Sequence, residues 1–525
     1  MNGSKLRSGA FAVLLALCGA GAAAAAPGSI VLTPIGTYAT GIFNEGGAEI
    51  VAHDPATQRL YLVNAVAAQV QVLDIETPSR PRRIATLDLT PYGGGVNSVA
   101  VHDGRVAVAV EAENRQAAGK VVVFGRDNAV IGSATVGALP DMVTFSPDGR
   151  YVLTADEGEP LDYCAAGLAN DPEGSVSIVD LASGGPNFTV RTAGFTAFNG
   201  AVPAGIRIFG PNATVAQDLE PEYVAVSPDS RTAWVTLQEN NALAVIDIPS
   251  ATVTGLIALG TKDHAQLRNG LDASDRDDAT RIVPRPVRGL YQPDAIASYQ
   301  AGGADYLVLA NEGDARDYEC FGEETRVGDL TLDPTAFPNA TFLQDGAELG
   351  RLRTTEAGGD ADDDGDHDEI LAFGARSFSI RDAAGQLIWD SGHEIELITA
   401  AALSGEFNSN HDENGSADSR SDDKGPEPEG LALGRFRGRT YAFVGLERIG
   451  GVLAYDITDP RGPFFVQYVN NRRFDGDAEA GTAGDLGPEG LIYIPREESP
   501  IPRALLVVAN EISGTVTIYS IKPRG

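Results

Sequence analysis

Residues 222–260, EYVAVSPDSRTAWVTLQENNALAVIDIPSATVTGLIALG, read as four short strands separated by turns at Pro228-Asp229, Glu239-Asn240 and Pro249-Ser250. The same plan recurs along the chain. A carboxylate or amide opens an apolar strand, a second strand ends in another carboxylate, and a third strand ends near Asp. The first copy starts at Glu49 (EIVAHDPATQRLYLVNAVAAQVQVLDI), the second at Asn97 and the third at Asp141. The segment at Glu222 is the fourth, and further copies begin at Asp294, Glu429 and Glu489. A four-stranded unit in seven copies predicts an all-β fold, a seven-bladed β-propeller. The last copy stops at its third strand. Residues 30–40, IVLTPIGTYAT, supply the missing fourth, so the N-terminal strand is expected to close the ring and remove an exposed edge. A pair of β-sandwiches would not repeat this unit seven times.

Extra residues break the even spacing near 158–173, 262–292, 313–374 and 401–428. In a propeller, loops between blades and loops joining second to third strands share one face. With residues 377–381 (SFSIR) as the third strand of the fifth unit, all four insertions decorate that face, and function is expected there.

The same geometry gathers carboxylates at the channel mouth. Glu49, Asp141, Glu222, Asp294, Glu429 and Glu489 open innermost strands, with Asn97 in the second unit. Glu157, Glu239, Glu312, Glu447 and Glu511 close second strands, and Glu111 does the same in the second unit. Like charges so concentrated repel unless cations bind or protons are retained, so calcium ligands are one reading and turn-capping carboxylates the other. A more local signal is the run Asp360, Asp362, Asp364, Gly365, Asp366, Asp368, Glu369, which follows the D-x-D-x-D-G opening of a calcium loop. Position 12 of that loop is Leu371 instead of Glu, so a full helix–loop–helix is not expected. Ca²⁺ is the expected cofactor. The acidic runs at 271–278 and 408–414 read as polar loops, and 421–430 brings Glu427 and Glu429 to the rim on a stiff Pro-Glu-Pro-Glu stretch.

Composition narrows the function classes. The chain of 525 residues has 73 Asp+Glu against 39 Lys+Arg and a formal charge of −34, which disfavours nucleic-acid binding. It is 43% hydrophobic, enough for a substantial core. Residues 1–26 have the form of a signal peptide: basic Lys5 and Arg7, an apolar stretch over 10–17, and small residues over 22–26. The propeller then occupies 27–525, exported to the periplasm or secreted, with no transmembrane segment expected after cleavage. Two cysteines remain, Cys164 after ADEGEPLDY and Cys320 after ANEGDARDYE. Their matching places in the third and fifth units, in an oxidising compartment, favour a disulfide over two free thiols, although non-adjacent blades make the bridge demanding. No G-x-S-x-G, H-E-x-x-H or P-loop motif occurs. His264 and His411 fall in the insertions and are candidates for acid–base chemistry.

The segments ANEGDARDYE, NGLDASDRDD, DADDDGDHDEILAFGARSFSI and NSNHDENGSADSRSDDKGPEPEG together resemble the choice-of-anchor I proteins, exported bacterial propellers similar to the mesenchyme-specific cell-surface glycoproteins of biomineralising animals. The likeness covers nearly all of residues 30–521. It implies an extracellular or periplasmic propeller associated with calcium. The C-terminal sorting signals by which that family is described have no counterpart in the final TVTIYSIKPRG. Two functions follow: a calcium-binding scaffold that presents its decorated face to an extracellular polymer or mineral, or a calcium-dependent phosphoesterase acting on a phosphate ester with Lys424, Arg316, Arg420 and Arg448 near the rim. The absence of a phosphate motif favours the first.

Overall fold

The computed structural model describes residues 29–164 and 170–524; the expected signal peptide lies outside them. Seven four-stranded antiparallel sheets form the framework of the described chain. Their innermost strands are Val51–Asp54, Gly95–His102, Pro140–Phe145, Pro221–Val226, Ile296–Ala301, Pro428–Phe436 and Pro488–Ile494. In the fifth sheet the third strand is Ser377–Asp382, paired with Ala304–Asn311 across a long insertion. The seventh sheet is completed by Ile30–Ala39, which runs antiparallel to Thr515–Pro523 from Ile30 opposite Pro523 to Ala39 opposite Thr515.

Apolar side chains fill the spaces between consecutive sheets, because each sheet has two faces and both are covered. Tyr61, Val70 and Val72 of the first sheet meet Val106, Val108 and Phe124 of the second. Equivalent cores lie between the third and fourth sheets and between the fifth and sixth. Leu60, Leu62 and Leu73 of the first sheet pack on Leu505, Val507 and Val516 of the seventh. Each such fully buried aliphatic side chain is worth roughly 1.5–3 kcal/mol relative to exposure. The innermost strands pack on one another in chain order, and that of the seventh sheet packs on that of the first.

The insertions form a layer of their own. Residues 262–292 and 313–374 fold together around Leu271, Val287, Val327, Leu332, Phe337 and Leu352, a core separate from those between the sheets. The sequence reading placed loops there. The 401–428 insertion is preceded by the helix Glu394–Ala402, whose Ile395 enters the core between the fifth and sixth sheets. A further excursion, residues 195–220, went unrecognised in the sequence; its Phe195, Ala216 and Leu219 are buried against the fourth sheet. No helix among the described residues is long and apolar enough to cross a membrane.

Candidate cation-binding mouth

A proline precedes the carboxylate at five of the seven strand openings: Pro140-Asp141, Pro221-Glu222, Pro293-Asp294, Pro428-Glu429 and Pro488-Glu489. Proline contributes no N–H to a ladder and therefore suits a strand's first position. Directly after it the register slips, between Pro140 and Val143, Pro221 and Val224, Pro428 and Leu431, and Pro488 and Leu491. Such a bulge re-aims the side chains within it. Here the re-aimed residue is the carboxylate. Glycine after the acid permits close approach of the neighbouring sheet: a Cβ on Gly490 would lie 2.4 Å from the Glu49 carbonyl oxygen. This Pro-acid repeat is the signal in the sequence that a reading by strand pattern alone passed over.

The result is a small cavity of about 40 Å³ lined by Glu49, Asn97, Asp141, Tyr223, Asp294, Gly430 and Glu489, with a residue in or at the head of the innermost strand of every sheet. The second tier stands where the sequence placed it. Glu157, Glu312, Glu447 and Glu511 directly follow strands ending at Asp156, Asn311, Leu446 and Asn510, and Glu239 follows Leu237 by two residues.

Electrostatics divides this mouth into two unlike halves. On one side cationic side chains neutralise the acids. Lys424 Nζ lies 3.1 Å from Glu427 and 3.3 Å from Glu312, Arg448 Nε lies 3.0 Å from Glu427 and 3.1 Å from Glu447, and Arg420 lies 2.6 Å from Glu427. His411 Nδ1 is 2.8 Å from Glu447. Burial alone would raise the Glu427 pKa, but Lys424, Arg448 and Arg420 outweigh it and hold the carboxyl well below its usual range. On the other side Arg115 pairs with Glu111 at 3.3 Å and Glu159 at 3.2 Å, but among the described residues no Lys or Arg forms an ion pair with Glu49, Asp141, Glu222, Asp294, Glu429 or Glu489. The Oε2 atoms of Glu49, Glu222, Glu429 and Glu489 are closed off from solvent and have no hydrogen-bond donor. Burial, then neighbouring carboxylates, pushes Glu222, Asp294, Glu429, Glu489 and Glu157 well above their usual values. The same causes bring Glu49 to about 8 and Asp141 to about 7. Burial is also the leading cause that raises Glu239, Glu312 and Glu511 to about 7.

Cys164 and Cys320 form a disulfide, with Cα atoms 5.1 Å apart. The span between non-adjacent sheets is met because the two loops reach toward each other above the excursion at 195–220. Tyr163 N donates to Glu319 O at 3.1 Å, and the Tyr163 ring meets Tyr318 and Phe321 edge-on. Tyr318 Oη donates to Glu159 at 3.2 Å. Arg316 is not on the rim. Its buried guanidinium pairs with Asp218 and, at 3.2 Å, with Glu220, and lies over the Phe209 ring.

The 360–369 loop is held by its own acids. Asp360 accepts from Asp364 N at 3.2 Å and Gly365 N at 2.9 Å, and Asp368 accepts from Ala361 N at 2.8 Å. Carboxylate oxygens of Asp360, Asp362 and Asp368 lie within 4.8 Å of one another, as do those of Asp366, Asp368 and Asp333, a residue the sequence reading did not select. Asp364 instead accepts from Asp366 N at 3.3 Å, and Glu369 faces Arg288 at 3.6 Å. Leu371 starts the short strand Leu371–Ala372, so no helix follows the loop. Acids of the 271–278 run serve structure: Asp272 accepts from Arg281 N at 2.6 Å and Asp275 pairs with Arg351 at 2.9 Å. His264 is interior, bonded through Nδ1 to Asn269 O at 2.6 Å. Burial and then Lys262 drive its pKa well down, so it is placed for packing and not for proton transfer.

A model of the choice-of-anchor I domain matches residues 49–460. Gigasin-3a of Magallana gigas is 31% identical over 195 residues, which are 34% of this chain and 67% of that protein. The mesenchyme-specific cell surface glycoprotein of Strongylocentrotus purpuratus is 28% identical over 288 residues, 47% of this chain, and the match spans 36% of that relative's length. Among solved structures, hydrazine synthase of Kuenenia stuttgartiensis aligns over 90% of this chain and 96% of its own, at 15% identity and a TM-score of 0.46. The β-propeller domain of Cps50 (Swd1) of Myceliophteria thermophila aligns over 94% and 100%, at 10% identity and a TM-score of 0.42.

Proposed function

The chain belongs to the choice-of-anchor I family, and from that premise we propose that it is an exported, calcium-binding, seven-bladed propeller, closed by its N-terminal strand, that acts as a binding or scaffold protein outside the cell. Seven sheets with cores between neighbours support the ring, and the cell-surface name of one relative supports the location. The observation that carries the cation-binding part is the convergence of carboxylate oxygens of Asp360, Asp362 and Asp368, and of Asp333, Asp366 and Asp368, within 4.8 Å of one another. Hard oxygen donors at high negative charge suit Ca²⁺. The 360–369 loop is the proposed calcium site on the decorated face, with Asp360, Asp362 and Asp368 on one side and Asp333 and Asp366 on the other. The merged insertions would present that face to an acidic polymer or a mineral through bound calcium. The phosphoesterase reading gains nothing from the rim cations, because Lys424, Arg420 and Arg448 are each committed to carboxylates of the mouth.

The test is a calcium titration of the purified protein by calorimetry and thermal melting, beside an Asp360→Asn/Asp368→Asn variant. At 100 times the dissociation constant, binding should stabilise by about 2.7 kcal/mol per site. The double variant should lose one site. A calcium-indifferent melting curve with no binding heat would overturn the proposal.

A further inference from the structure

Glu49, Glu489 and Glu511 bring carboxylate oxygens within 4.8 Å of one another at the junction of the first and last sheets. Glu49 precedes the innermost strand of the first sheet, whereas Glu489 and Glu511 belong to the seventh, the sheet that also contains Ile30–Ala39. Two of the three have a solvent-closed oxygen with no donor, and both of those residues line the 40 Å³ cavity, together with Asp141 and Asp294. The comparison within the same mouth is informative. The trio Glu312, Glu427 and Glu447 is equally close and also has two solvent-closed oxygens without a hydrogen-bond donor, on Glu427 and Glu447, yet Lys424, Arg420 and Arg448 lie at ion-pair distance from it. Among the described residues, no Lys or Arg forms an ion pair with Glu49, Glu489 or Glu511; the His411 imidazole stands beside Glu511, and His411 and Arg448 act on that carboxyl alone of the three. One trio has its counter-ions built into the chain and the other does not.

We propose that Glu49, Glu489 and Glu511 hold one divalent cation of the calcium or manganese class, which clasps the last sheet to the first. All three ligands are hard oxygens, and the adjoining cavity leaves space for one or two waters to complete the shell. The Gly490 approach, which places the backbones of the two sheets in contact, brings Glu489 and Glu49 into reach. The site is distinct from the 360–369 loop. Its role is to cancel the repulsion that the ring's own closure creates, so it secures the seam where the chain begins and ends its circuit.

The experiment uses the full protein carrying Asp360→Asn/Asp368→Asn, with Ca²⁺ and Mn²⁺ as probes in calorimetry and melting. One cation should still bind and raise the melting temperature. Adding Glu489→Gln should abolish that binding while leaving the metal-free protein as stable as its parent or more so, because a like charge is removed without loss of volume. Tb³⁺ at the seam should be sensitised by Tyr223, which lines the same cavity, and Tyr223→Phe should dim that emission. If the loop variant binds no cation while the wild type binds one, the seam proposal is overturned and the calcium loop stands. Unchanged binding in Glu489→Gln would overturn it as well. A wild type that binds nothing would overturn both.

Discussion

Lys424 shows how one side chain decides the character of half the mouth. Its ammonium serves Glu427, Glu312 and, at 3.6 Å, Asp314, and it is 9% exposed. Replacement by Met keeps the volume of the stem and leaves Glu312 without a cation. Breaking a buried pair from one side costs about 3–5 kcal/mol, and Lys424→Met should fall at the low end because Arg420 and Arg448 still hold Glu427. Urea denaturation at pH 7 measures this; a loss below about 1 kcal/mol would mean the network is slack. The opposite half predicts a pH dependence. Asp141 and Glu239 are raised to about 7 in the fold, chiefly by burial. The folded form therefore binds protons that the unfolded form releases near its ordinary carboxylate values. Their contribution is complete below about pH 4 and is lost as pH rises through about 7. In chelator, the melting temperature should be higher at pH 5.5 than at pH 8, and added calcium should erase most of that difference. Melting that improves toward pH 8 in chelator would contradict the assignment.

At the scale of elements, the strands were legible because buried sheets write long β-branched and aromatic runs between turn residues. Residues 232–237 and 242–247 are examples, and the distant SFSIR segment found its place by the same pattern. The Pro-acid-bulge that aims Glu429 and Glu489 escaped notice because it lies at the strand edge, where alternation breaks. The insertion core escaped it for another reason. Leu330, Leu332, Phe337, Leu343, Leu349 and Leu352 are spread among turns and short helical pieces with no single period, so only the fold shows that they meet. The excursion at 195–220 lacked a signal too, since its buried Phe195, Ile206, Ala216 and Leu219 are spaced with no single period. The disulfide was legible from matched positions, and it makes a prediction. It joins residues 156 apart in sequence, a loop whose closure entropy corresponds to about 5 kcal/mol at most. Cys164→Ser/Cys320→Ser should destabilise by about 2–5 kcal/mol in chemical denaturation, without abolishing the seven sheets seen by circular dichroism. A loss of all β signal would mean the bridge directs folding and not only the layer above the mouth.

At the scale of the whole molecule, Ile30–Ala39 and Thr515–Pro523, far apart in the chain, meet in one sheet. Thr515–Pro523 has Leu505–Asn510 on one side and Ile30–Ala39 on the other. A chain that starts at Gly41 would leave it as an unprotected edge and uncover part of the core around Leu506, Tyr519 and Ile521. Such a truncation should self-associate in size-exclusion chromatography, and a strictly monomeric profile would count against the closing role of this strand. On the proposed function, cations would complete what the carboxylate-lined centre leaves unpaired.

The most direct measurement is a crystal structure of the protein grown with saturating Ca²⁺ and then with Mn²⁺, read by anomalous scattering. The account expects density among Asp360, Asp362 and Asp368 and between Glu49, Glu489 and Glu511, with none among Glu312, Glu427 and Glu447. Empty sites at both predicted positions, or a cation seated beside Lys424, would contradict it.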